Sequence, residues 1–258
     1  MNKAQIALLA IGIALFSILY FGAGSKLHKQ VQAETARNIN APTADADEII
    51  DKAKSTLNPQ QTAELSVLEK TLIDATSDTA KAAILKKVSG AWYRFGKLDV
   101  SGYYAEKIAK IENTERAWFI AGSTFFTGIQ QNKETDIRQF CADRAAKAFE
   151  NAASLNPEKV ENRVALASVY TENPLADNPM KGILMLRELD QRFPNNPLVL
   201  VTLAKNAIRT GQYDKAVARL ESAAKVSPSD NNIICLLAQA YEGLGDAAKS
   251  KLFAAKCK

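Results

Sequence analysis

Ser222-Ala223-Ala224-Lys225 sets a hydroxyl and an amine three residues apart, one helical turn, and Ser229-Asp230-Asn231 follows four residues later. A lysine amine beside a serine can take the hydroxyl proton and so make a nucleophile for acyl transfer, which raises a hydrolase using Ser222 and Lys225 as one alternative. Such sites draw their second motif from a distant part of the chain, add a Lys-Thr-Gly, and seat the serine helix under a sheet. Here the two motifs are neighbours, no Lys-Thr-Gly follows, and no strand-forming run lies nearby. A motif this short arises by chance about once in a chain of this length. The sequence therefore points to no catalytic residue.

The other reactive residue types lead the same way. His28 is the only histidine, which rules out any site needing two of them and leaves a serine triad nothing to use but a residue in a polar stretch near the amino terminus. Cys141, Cys235 and Cys257 are odd in number and widely spaced, with no CxxC pair; they are expected to be small buried apolar residues rather than a disulfide framework. Asp45, Asp47, Glu48 and Asp51 lack the glycine and closing glutamate of a calcium loop, and read as an acidic helix start. Neither a phosphate-cradling glycine loop nor a dinucleotide fingerprint is present, so no cofactor and no metal are expected. Of the formal charge of +5, Lys3, Lys26, Lys29 and Arg37 against Glu34 place +3 in the first 37 residues. The remainder is close to balanced and its basic residues are scattered, which argues against nucleic acid as a partner.

Ala4 to Gly24, behind a tail of residues 1–3, is 21 residues without a charge, long enough to cross roughly 30 Å of hydrocarbon as a helix. The run exceeds the apolar core of a removed signal, although Gly22-Ala23-Gly24 and Val31-Gln32-Ala33 are tolerable cleavage sites, and it is expected to be a transmembrane anchor over 4–24. Lys26, Lys29 and Arg37 behind the run argue for a cytoplasmic body, whereas so short a leading tail is that of a signal-anchor, which exports the chain behind it. The two arguments oppose each other; the expectation is a single-pass protein of a bacterial inner membrane, its side undetermined and leaning to periplasmic. Residues 25–44 are polar, carry a proline and lack apolar periodicity, as a juxtamembrane linker would.

From Asp45 onward the pattern is helical. Asp45 with Glu48, and Asn58-Pro59 with Gln61, mark the starts of two leading helices within 45–79, the second carrying Leu65, Leu68 and Leu72 on one stripe. Beyond them a period near 34 residues appears. Leu203, Ala204, Ala207, Gly211, Ala216 and Leu220 recur 34 residues later as Leu237, Ala238, Tyr241, Gly245, Ser250 and Ala254; Ala223 falls on Cys257, and Pro228 ends the first of these units. Trp118, Ala121, Gly122 and Phe125 repeat the first-helix half, and Ala145, Phe149, Ala152 and Pro157 the second, with about eleven extra residues expected to lengthen both helices. Leu166, Ala167, Tyr170, Gly182, Leu186 and Pro194 form a further unit, and Val88, Ser89, Trp92, Gly96 and Ala105 a more divergent one.

Over 80–258 this pattern resembles the tetratricopeptide repeat, with units of about 82–114, 115–159, 160–196, 197–230 and 231–258. The resemblance implies an all-α fold, a TPR-like α-solenoid of antiparallel helix pairs, here preceded by the single transmembrane helix. Small residues let paired helices approach, and large ones fill the space between units. The last unit stops at Lys258 without an added capping helix, with Lys249, Lys251, Lys256 and Lys258 around its exposed side.

Function is then expected on the surface of the array. In that family the first helices line a concave groove for a peptide or partner helix. The groove positions of the repeat correspond to Tyr93 and Arg94; Phe119, Ser123 and Phe126; Val164 and Ser168; Val201, Lys205 and Arg209; and Cys235 and Gln239. Aromatic and arginine side chains carry most interface energy, which singles out Tyr93, Arg94, Phe119, Phe126 and Arg209. The lysine-asparagine clamp for a terminal carboxylate is not reproduced, because Lys86 is followed at the matching position by Gly90. The resemblance implies a membrane-anchored, non-enzymatic scaffold or adaptor for a protein or peptide partner in assembly of an inner-membrane or envelope complex, or alternatively an exported accessory chaperone.

Overall fold

The computed structural model describes residues 46–258. The expected anchor at 4–24, the linker at 25–44, His28 and the Asp45 cap lie outside the described residues. Among the described residues no helix is long and apolar enough to cross a membrane.

The described chain is twelve helices without a strand: α1 (Ala46–Lys54), α2 (Pro59–Ile73), α3 (Asp78–Arg94), α4 (Leu98–Glu112), α5 (Glu115–Gln131), α6 (Thr135–Leu155), α7 (Val160–Glu172), α8 (Lys181–Arg192), α9 (Pro197–Arg209), α10 (Tyr213–Val226), α11 (Asn231–Leu244) and α12 (Ala247–Ala254). Local chemistry sets many of the starts. Asn58 closes a reciprocal capping box with Gln61, and Ser77, Thr114, Asn196, Asp230 and Asp246 each turn a side-chain oxygen onto an early backbone N–H of the helix they open. Pro59 and Pro197 sit at first helical positions, where a missing N–H costs nothing. Gly211, between α9 and α10, takes φ of 70°, a left-handed turn conformation that a side chain disfavours.

From α2 onward each helix packs on the next in sequence, which is the contact pattern of a solenoid of helical hairpins. The repeat positions supply the core: Leu203, Ala204, Ala207, Ala216, Leu220 and Ala223 are all buried, as are Leu237 and Tyr241 one period later. In the α5–α6 pair, Phe149 lies against Gly122 and crosses Phe119 edge to face at 5.5 Å between ring centres. Burying one such ring is worth about 1.5–3 kcal/mol. The extra residues of this pair lie in α5 and α6, of 17 and 21 residues. Arg138 of α6 braces them: its Nη1 donates to Ile129 O near the end of α5, and its Nη2 donates to Glu172 O, the end of α7, at 3.1 Å. One guanidinium thus satisfies carbonyls that two helix ends leave without partners.

One expectation is overturned at the carboxyl end. Cys235 and Cys257 form a disulfide, with Cα atoms 4.9 Å apart, and only Cys141 is a free buried cysteine. Cys257 is not a packing residue of the last helix, because α12 ends at Ala254 and Cys257 lies exposed beyond it. An antiparallel hairpin brings the start of its first helix beside the end of its second, so two cysteines 22 residues apart meet there.

Candidate functional site: a groove walled by α3 and α5

α5 packs on α7, α7 on α9 and α9 on α11, but α3 and α5 do not approach each other to the same extent. Between them lies a cavity of about 700 Å³, within the range of about 300–1,000 Å³ typical of ligand sites. One wall is Lys86, Ser89, Gly90 and Tyr93 of α3; the other is Arg116, Ala117, Ile120 and Thr124 of α5; Ser101, Ala105, Ile108 and Glu112 of α4 form the floor. Small residues make the depth. Gly90, Ser89, Ser101, Ala105 and Ala117 leave unfilled the volume that larger side chains would occupy.

The polar groups of the floor are already satisfied. Ser89 and Ser101 each donate a hydroxyl to the other's carbonyl at 2.9 Å, tying α3 to α4. At the rim Lys86 Nζ pairs with Glu112 Oε1 at 2.5 Å, while Arg116 has no ion-pair partner among the described residues. Two large side chains stay in water: Tyr93 is 57% and Ile120 49% exposed. An apolar pair is thus held in solvent over a concave wall, with a free guanidinium beside it.

Of the residues singled out by repeat position, only Tyr93 lines this groove. Arg94, next to it, is ion-paired with Glu64 of α2. Phe119 and Phe126 are partly buried against the core, and Lys159 Nζ lies 5.7 Å from the Phe119 ring centre. Ser123 is half-buried beside them. Val164 and Val201 are buried, and Ser168 donates its hydroxyl to Val164 O at 2.8 Å. Arg209 braces two first helices, donating to Thr171 O at 2.9 Å and pairing with Glu172 at 3.3 Å. Lys205 and Gln239 are exposed on α9 and α11, and Cys235 is in the disulfide. Arg116, Ile120 and Thr124, spaced by four, form the α5 wall that repeat position did not pick out. The signal in the sequence was that stripe, but nothing local says that α3 stands away from it.

The serine and lysine of the opening motif are both on α10. Ser222 donates its hydroxyl back to Ala218 O at 3.0 Å, and Lys225 is exposed. Asp230 caps α11, accepting from Asn232 N at 2.9 Å. Among the described residues no group of three His, Cys, Asp or Glu side chains is placed to hold a metal ion.

A model of the tetratricopeptide repeat matches residues 181–240. Among solved structures, a tetratricopeptide repeat protein from Parabacteroides merdae is similar at 14% identity and a TM-score of 0.52, covering 82% of this chain and 78% of that one. The MamA protein is similar at 16% identity and a TM-score of 0.43, over 68% of this chain and 89% of its own. YrrB, described as a TPR protein with an unusual peptide-binding site, is similar at 13% identity and a TM-score of 0.39, over 68% and 84%. No curated protein matches the chain. Residues 181–240 therefore carry the tetratricopeptide-repeat pattern, inside a longer array of helix pairs whose fold is similar to that of a solved repeat protein.

Proposed function

We propose that this chain is a non-catalytic scaffold that holds a segment of a partner protein in the groove between α3 and α5. The observation that carries the reading is the pairing of Tyr93 and Ile120, two large side chains kept in solvent on facing walls of a cavity in which Ser89 and Ser101 already satisfy each other. Burying both on a partner would release apolar surface from water at about 25 cal/mol per Å².

The apolar run at 4–24 would tether the array to a bacterial inner membrane. A Cys235–Cys257 disulfide supports a periplasmic body, since such bonds persist in oxidising compartments. There the scaffold would serve assembly of an envelope complex.

In-cell crosslinking followed by affinity isolation of the full chain tests this. The wild type is expected to recover a protein that Ile120→Glu does not, at unchanged thermal stability, because Ile120 is exposed. Recovery of the same proteins by both chains would sink the assignment of the groove.

A further inference from the structure

The carboxyl end of the array is fastened as well as packed. Cys235 lies in α11, and Cys257 lies three residues past the end of α12. Asn231 adds a second fastening: its Nδ2 donates to Lys258 O at 2.5 Å, and its Oδ1 accepts from Lys258 N at 2.8 Å. α12 lies along α11 and contributes Phe253 to its core, but buries no residue fully. It has eight residues, none of them buried. Its Phe253 ring is half-buried and stacked on Tyr241 at 5.7 Å between centres, with Lys249 Nζ 4.7 Å from the Tyr241 ring centre. A helix this short does not persist alone in water, so its docking depends on being tied to its neighbour. The disulfide supplies that tie by keeping the two segments at high effective concentration.

We propose that the Cys235–Cys257 bond is a redox-operated clasp: oxidised, it keeps α12 docked on α11; opened by a dithiol reductant, it lets α12 leave and bares the Tyr241 ring. Access favours this. Cys257 is exposed, Cys235 is half-buried, and no buried element has to open first. A reductant thiolate attacks Cys257 Sγ, the S–S bond breaks, and Cys235 leaves as a thiolate that takes a proton from water. The reductant's second thiol then displaces Cys257, leaving two protein thiols and a disulfide in the reductant. Two electrons and two protons have passed to the protein. Cys141 takes no part, being buried among α4 to α6. None of the groove residues is involved, so the clasp stands apart from the proposed binding function.

Amide hydrogen exchange on the full chain tests the clasp, in the oxidised form, after dithiothreitol, and in Cys257→Ser with and without dithiothreitol. Amides of α12 are expected to exchange at least about tenfold faster in the reduced chain and in both Cys257→Ser samples, with α3 to α11 unchanged. Equal protection of α12 in oxidised and reduced wild type would overturn the proposal. So would joint loss of protection across α10, α11 and α12, which would make the bond a staple of the whole end.

Discussion

Adding one methyl at Gly182 tests whether backbone-to-backbone approach holds the α7–α8 hairpin. A Cβ there would meet Ala167 O at 2.6 Å, Thr171 Cγ2 at 2.6 Å and Thr171 N at 2.7 Å. Two of these three atoms are backbone and cannot rotate aside. Restoring an ordinary 3.4 Å contact requires α8 to move off α7 by roughly 0.8 Å, out of register with Leu186 and Leu189, which are buried against Val160 and Val164. Overpacking of this kind costs about 1–3 kcal/mol. The helix-propensity gain of alanine over glycine, at most about 1 kcal/mol, is reduced because Gly182 is the second residue of its helix. Gly182→Ala is therefore expected to lose about 1–2 kcal/mol. Gly90→Ala is the control, because its Cβ meets only Arg94 Nη1, at 3.8 Å, and it lies within α3. It should gain up to about 1 kcal/mol. Calorimetry on both variants, with hydrogen exchange to locate the loss in α7 and α8, reads the difference. A Gly182→Ala chain as stable as the wild type would refute the argument.

Two buried carboxylates should respond to pH in opposite senses. Burial pushes Glu106 up, but its hydrogen bond to Lys110 at 2.6 Å and the Arg144 guanidinium at 2.6 Å outweigh that and hold its carboxyl below the usual range. Its folded pKa is lowered, so it contributes stability above its unfolded pKa and loses it as pH falls through the folded one. Glu106→Gln is expected to lower the melting temperature at pH 7 and to cost progressively less in acid. Asp99 is pushed up, chiefly by burial, although backbone N–H groups oppose the shift. Its charge is a liability at pH 7 and none below its unfolded pKa, so Asp99→Asn is expected to raise the melting temperature at pH 7, with the gain fading in acid. Thermal melts of both variants from pH 3 to about 8 check the two signs. Cys141 should resist alkylation at pH 8 until the chain is denatured, because burial, with Asp99 in the same sense, pushes its thiol up to about 12.

The helical pairs were legible because packing in a solenoid is periodic. Ala204, Ala207, Ala216 and Leu220 share one core with Leu237 and Tyr241 of the next unit, so a spacing of 34 carries tertiary information that a single helix does not. The candidate groove was less legible for the same reason. Repeat position says which way Phe119 and Phe126 point in an even array, but these rings are packed against the core, and the open wall is one step round the helix at Arg116, Ile120 and Thr124. What creates the groove is the separation of α3 from α5, and that depends on how several helices add up. The disulfide was hidden by treating each cysteine alone. Paired with the hairpin geometry, Cys235 and Cys257 are neighbours across the last turn of the fold.

Photocrosslinking from inside and outside the groove tests the central claim most directly. A photoreactive residue replacing Ile120 in the full chain, in cells, is expected to capture a discrete protein, whereas one replacing exposed Lys147 of α6 does not. Adding Gly90→Leu, which fills the groove from the opposite wall, should abolish the adduct without lowering the melting temperature. Capture from Lys147 alone, or an adduct at Ile120 that survives Gly90→Leu, would contradict the account.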